Sequence, residues 1–194
     1  MTTRSLKYIL AFGVIAFVLG LFVPLSFSQE EEKVLEVQVF LTKKQALEIA
    51  FPGADKVKRV KKWLTDEQKE SIGEICFQKI EANRMSFYAG MRDGVPIGYA
   101  LFGHQLGKSY PISYMVVLNL DGTVRDVEIL VYREPRGWEV RYSCFMDQFT
   151  GTTPDTDFRN INTITGATLS VNAMVKGVSR ASAAYKVLFL SGNP

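Results

Sequence analysis

Ile112-Ser-Tyr-Met-Val-Val-Leu-Asn-Leu-Asp-Gly-Thr-Val-Arg-Asp-Val-Glu-Ile-Leu-Val-Tyr132 is two apolar runs around an Asp121-Gly122 pair. Asp-Gly between alternating runs is a strong hairpin signal, because both turn positions must tolerate positive φ. Val116, Leu118 and Leu120 share one face of the first strand at a period of two, and Val127, Ile129 and Val131 share one face of the second. The same pattern recurs upstream. Met85 to Met91, Asp93-Gly94, and Pro96 to Phe102 form another hairpin.

Outside the hairpins the period changes. Thr42-Lys-Lys-Gln45 and Thr65-Asp-Glu-Gln68 are capping boxes, in which Thr and Gln satisfy each other's backbone donors. The first helix stops at Phe51-Pro52-Gly53 and the second near Gly73, with a short basic strand, Val57 to Trp63, between them. Downstream, Glu134-Pro-Arg-Gly137 breaks the strand pattern, Glu139 to Phe149 reads as a short helix, and residues 150–160 form a polar loop. A long helix runs from about Ser170 to Leu190, its stripe formed by Val171, Met174, Val175, Val178, Tyr185, Leu188 and Phe189. Helices flanking antiparallel hairpins give an α+β class: a sheet packed by flanking helices, in a single domain after an N-terminal apolar helix. The chain divides into residues 1–28, a spacer and first strand at 29–39, and a domain at 40–194.

The N-terminus points to export. Arg4 and Lys7 precede an uncharged, apolar run from Tyr8 to Phe27, and Glu30, Glu31 and Glu32 follow it. Basic before and acidic after is the orientation of a segment whose positive end stays in the cytoplasm. Ser26-Phe-Ser28 has the small-x-small spacing of a signal-peptidase site, with cleavage before Gln29, while the run is also long enough to remain as an anchor. Removing residues 1–28 takes two of the 23 basic residues and none of the 20 acidic ones, leaving a net charge of +1. That balance argues against a nucleic-acid partner. Cys76 and Cys144 lack CxxC spacing, which argues against zinc or dithiol chemistry. They read as buried, inert thiols, with one disulfide as the alternative in an oxidising compartment.

One segment suits an anion. In Asn162-Thr-Ile-Thr-Gly-Ala-Thr168, Gly166 frees the chain to turn and Thr168 lies at the mouth of the long helix. The first turn of a helix offers unpaired N–H groups and the positive end of the dipole, a ready phosphate site. Thr165 and Ser170 add hydroxyls. A Thr/Ser cap that binds nothing fits the same residues.

The segment resembles the flavinylation motif of the periplasmic FMN-binding domain family, Asp-x-x-Ser/Thr-Gly-Ala-Thr. The similarity extends to Leu41–Pro52, the Gly90–Gly98 hairpin, Gly103–Pro111, Val131–Gly137 and Asp147-Gln-Phe149. The family includes the flavin-carrying subunits of sodium-translocating NADH:quinone reductase and of the ferredoxin:NAD reductase complex, and smaller stand-alone proteins that this chain resembles more closely. The resemblance implies FMN as cofactor, joined to Thr168 through a phosphoester by a dedicated transferase that uses FAD outside the cytoplasm. It also implies redox partner proteins in or at the membrane. Asn162 departs from the motif, which usually begins with Asp. A neutral amide cannot act as a carboxylate during the transfer.

The expected cofactor set is Thr168 with Thr165, Gly166, Ala167, Asn162 and Ser170, joined by Glu134, Arg136 and Gly137 in the strand-ending turn and by His104 in a loop bordering the flavin. No nucleophile–base pair or metal cluster is expected, so the chain reads as an exported electron carrier without catalytic residues of its own. A flavin-dependent reductase of a small acceptor, with His104 or Arg136 as proton donor, and a flavin-free module of a membrane redox assembly are the alternatives. The basic run Lys56 to Lys62 reads as a solvated strand face, with anionic lipid or an acidic redox partner as the alternative.

Overall fold

The computed structural model describes residues 37–191. The apolar segment and the export signal lie outside them. Among the described residues, no helix is long and apolar enough to cross a membrane.

The elements are β1 (Gln38–Val39), α1 (Lys43–Ala50), β2 (Lys56–Trp63), α2 (Asp66–Cys76), β3 (Arg84–Arg92), β4 (Val95–Leu106), β5 (Pro111–Leu118), β6 (Val124–Tyr132), α3 (Ser143–Met146) and α4 (Thr168–Tyr185). Short 3₁₀ turns stand at Trp138–Arg141, Asp147–Phe149 and Phe158–Asn160, and α4 passes into a π turn at Lys186–Leu190. All pairings are antiparallel, in the order β1-β6-β5-β4-β3-β2. The expected α+β class holds. Both capping boxes form as read, Thr42 with Gln45 and Thr65 with Gln68.

The sheet has two apolar faces. On one, Phe87, Leu101, Tyr114, Val116, Leu118, Val127 and Ile129 meet Ile72 of α2 and Val171, Met174 and Val178 of α4. On the other, Ala100, Met115, Val117 and Leu130 meet Ala46, Ala50 and Phe51 at α1. The result is α1 on one side and α2 with α4 on the other. Large rings set the close approaches. The ring and hydroxyl of Tyr114 fill the space that a Cβ at Gly103 or at Gly177 of α4 would occupy, at 2.3 and 2.5 Å.

Four readings change. Leu120 lies past the end of β5 and is 50% exposed, so it leaves the core face. Between Ser113 and Tyr114 the β5–β6 register slips by one, because Ser113 pairs with Val131 and Tyr114 with Ile129. The extra residue, Leu130, inverts the alternation, so Tyr132 and not Val131 joins the α4 face. Glu139–Phe149 is not one helix but a 3₁₀ turn, a single α turn and another 3₁₀ turn. Finally, β4 continues to Leu106, so His104 stands in a strand and not in a loop.

Candidate functional site

Thr168 opens the longest helix, and that helix begins unlike α1 and α2. Neither Ala167, in the N-cap position, nor any other side chain caps it. The Ala167 carbonyl accepts from the Val171 N–H at 2.9 Å, and the N–H groups of Thr168, Leu169 and Ser170 precede the first intrahelical donor. They point outward with the positive end of the α4 dipole. The Thr168 side chain is exposed and makes no hydrogen bond among the described residues.

The turn before it is built for this placement. The Ile164 carbonyl accepts from the Ala167 N–H at 3.0 Å, and Gly166 has φ +83°. That is the position at which a type II turn requires positive φ. Ala167 is buried at 3% exposure and anchors the turn in the core, while Thr165 and Gly166 face solvent. Upstream, Gln148 grips the backbone of Asn162. Its Oε1 accepts the Asn162 N–H at 2.7 Å and its Nε2 donates to the Asn162 carbonyl at 3.4 Å. The Asn162 side chain is exposed and makes no hydrogen bond among the described residues.

Residues 132–137 pack against the helix mouth. The Tyr132 hydroxyl donates to the Arg136 carbonyl at 2.6 Å. Its single hydrogen is then used, so Ser170 Oγ, 2.8 Å away, donates to it. Ser170 is 4% exposed. Its hydroxyl therefore locks the turn and is not one of the free donors expected beside Thr168. Gly137 has φ +88°, and a Cβ there would lie 2.5 Å from Ser170 Oγ and 2.8 Å from the Tyr132 hydroxyl. Only glycine lets the turn approach α4 this closely. Burial holds the Tyr132 phenol above its ordinary pKa, and Glu134 and Glu139 push the same way, so it stays a hydrogen-bond donor.

Glu134 is buried, and its Oε1 accepts from the N–H groups of Ser109 and Tyr110 at 2.6 and 2.9 Å. It holds the β4–β5 connection, with its carboxylate turned into that connection. The Arg136 side chain is exposed and has no acidic partner among the described residues. Of the aromatic residues near the site, Tyr132 and Phe149 are buried. Trp138 is 38% exposed and meets Tyr142 edge-on at 5.4 Å. Sequence reasoning missed Glu139, whose Oε2 is buried without a hydrogen-bond partner. It also missed a groove of about 730 Å³ along α4, lined by Val171, Val175, Phe158, Ile161 and the exposed Phe77. Val171 lies one helical turn beyond Thr168.

The geometry brings together Thr165 to Thr168, Ser170, Arg136 and Gly137, with the Asn162 backbone just upstream. His104 is elsewhere. By the period of two along β4 it shares the α1 face with Ala100 and Phe102, and its Nδ1 lies 2.9 Å from Ser113 Oγ, which also accepts from Arg133 at 3.1 Å. Thr168 opens a helix on the opposite face. Cys76 and Cys144 are both free. Cys76 is buried, which raises its thiol pKa, while Cys144 is exposed, against the expectation of two buried thiols. Among the described residues, no group of His, Cys, Asp and Glu is arranged to hold a metal.

An exposed hydroxyl, three outward N–H groups, a helix dipole and an unpaired Arg136 suit a phosphate. No curated protein matches the sequence. The crystal structure of NqrC from Shewanella oneidensis superposes with a TM-score of 0.50 at 14% identity, covering 71% of this chain and 84% of that one, which shows a shared fold. The profile of the FMN-binding domain family matches residues 107–183, a span that includes the Gly137 turn, the Thr168 turn and most of α4.

Proposed function

We propose that this protein is an exported electron carrier whose FMN is joined by a phosphoester to Thr168. One observation carries the reading: Thr168 is an exposed, unbonded hydroxyl at the uncapped mouth of α4. The outward N–H groups and the dipole stabilise a phosphate there. Bound FMN supplies the electron transfer, and the chain supplies position and environment. The Thr165-Gly166 turn presents the hydroxyl, Ser170 and Tyr132 hold the neighbouring turn, and Arg136 adds positive charge. In maturation by a transferase, the Thr168 oxygen gives up its proton and bonds to the FMN phosphorus of FAD, while the pyrophosphate bridge breaks and AMP leaves. The likeness of fold to NqrC supports redox partners at a membrane. Of the two proton donors that a reductase acting alone would use, His104 lies on the far face and Arg136 alone stands at the site.

Intact mass of the chain co-expressed with an FMN transferase tests this. The expected result is an adduct of one FMN less water, absent in Thr168→Val. Asn162→Asp, which restores the usual carboxylate, should load faster. A bare wild-type chain without flavin absorbance under those conditions rejects the covalent reading, and an adduct retained in Thr168→Val rejects the assigned residue.

A further inference from the structure

The β3–β4 ladder stops early. Its last pair at this end is Phe87 with Leu101. Beyond it, Arg84, Met85 and Ser86 pair with β2 alone, and Phe102 to Leu106 pair with β5 alone. The sheet forks, and the opening is a cavity of about 320 Å³ reaching through to Tyr114 and α4. That is near the lower end of the small-ligand range of roughly 300–1,000 Å³.

Its chemistry is one-sided. Lys43, Arg59, Arg84 and Arg180 line it, and no acidic residue does. None of the ion pairs among the described residues involves these four. Their contacts are neutral. Lys43 lies over the Tyr88 ring at 4.1 Å, Arg84 over Trp63 at 5.4 Å, and Arg59 donates to Ser86 Oγ at 3.0 Å. Arg180 donates to the amide oxygens of Gln78 and Gln105, which orient its guanidinium without cancelling its charge, and its Nε is buried without a partner. A second observation is independent of charge. Tyr114 is 2% exposed, its hydroxyl lines the fork, and it makes no hydrogen bond among the described residues. Buried phenols ordinarily find a partner. Burial lifts its pKa to about 12, so the hydroxyl is a donor at neutral pH.

We propose that the fork between β3 and β4 binds a small dianion, a phosphate monoester or a dicarboxylate, through Arg59, Arg84 and Arg180 with the Tyr114 hydroxyl donating from below. Planar guanidinium groups match either kind of oxyanion with paired hydrogen bonds. A dianion also relieves the mutual repulsion of the four cations. The site is separate from Thr168, because Gly177 and Arg180 lie roughly 13 Å or more along α4 from it at about 1.5 Å per residue.

Calorimetric titration of the chain, flavin-free and flavin-loaded, with inorganic phosphate, phenyl phosphate and succinate tests the proposal, with chloride at equal ionic strength as reference. Saturable one-to-one binding of at least one dianion is expected in both forms. Arg84→Ala and Tyr114→Phe should each weaken it about fivefold or more, the usual scale for losing a charged or buried hydrogen bond. Lys58→Ala, on β2 outside the fork, should leave it unchanged. The exposed Arg84 provides a variant that folds even if Tyr114→Phe does not. Which dianions saturate identifies the ligand class. No saturable binding of any of the three, or equal weakening by Lys58→Ala, overturns the proposal and leaves the reading of Thr168 untouched.

Discussion

Thr168 and Ser170 show how differently two hydroxyls on one helix end can be used. They are about 200° apart around the helix axis, so one faces solvent and the other the core. Thr168 was legible because Thr-Gly-Ala-Thr before an amphipathic run places it at the helix mouth. The task of Ser170 was not, because its partner, Tyr132, is on another element. The local task of Glu134 was hidden for the same reason: its carboxylate is buried under the N–H groups of Ser109 and Tyr110, on another segment. Gly137 is where the cost of change is most defined. Its φ is +88° and its missing Cβ leaves the space that Ser170 Oγ and the Tyr132 hydroxyl fill. Gly137→Ala should destabilise the protein by roughly 1–3 kcal/mol, the scale of backbone strain at such positions. Urea unfolding measures it, and a change under about 0.5 kcal/mol, the range of ordinary surface substitutions, would show that the turn yields.

Among elements, the helix starts separate into two kinds. α1 and α2 carry complete capping boxes, and α4 carries none. A cap that only stabilises and an end kept open for a ligand should respond differently to the loss of a threonine. Thr65→Ala should cost about 1 kcal/mol, the typical value for an N-cap. Thr168→Ala in the flavin-free chain should stay within about 0.5 kcal/mol, because its hydroxyl has no partner to lose. Thermal unfolding of the two variants against the wild type makes the comparison, and equal losses would mean that Thr168 serves as a cap. The hairpins and the capping boxes were readable because their signals are local. The Leu130 bulge, the length of β4 and the broken segment at 139–149 were not. The length of β4 follows from packing across the sheet: Gly103 reads as a loop signal, yet it sits in a strand because Tyr114 needs the space.

At the scale of the molecule, the sheet carries α1 on one face and α4 with α2 on the other, and the export reading concerns where that body resides. Cys144 offers a direct test, because it is an exposed free thiol while Cys76 is buried. In intact bacteria with a permeabilised outer membrane, a membrane-impermeant maleimide should label the wild type and not Cys144→Ser. Labelling that appears only after lysis of the inner membrane would place the domain inside the cell. N-terminal sequencing of the exported chain then separates a start at Gln29 from a retained anchor. The two borders of the sheet have a further consequence. Strand borders present free backbone groups that can recruit a second chain into a continuous ribbon. Here one border, β2, carries Lys56, Lys58, Arg59, Lys61 and Lys62, and the other, β1, is only two residues long. Repulsion guards the first and brevity the second. The same basic strand that lends Arg59 to the fork therefore also keeps copies of this protein from zipping together into aggregates.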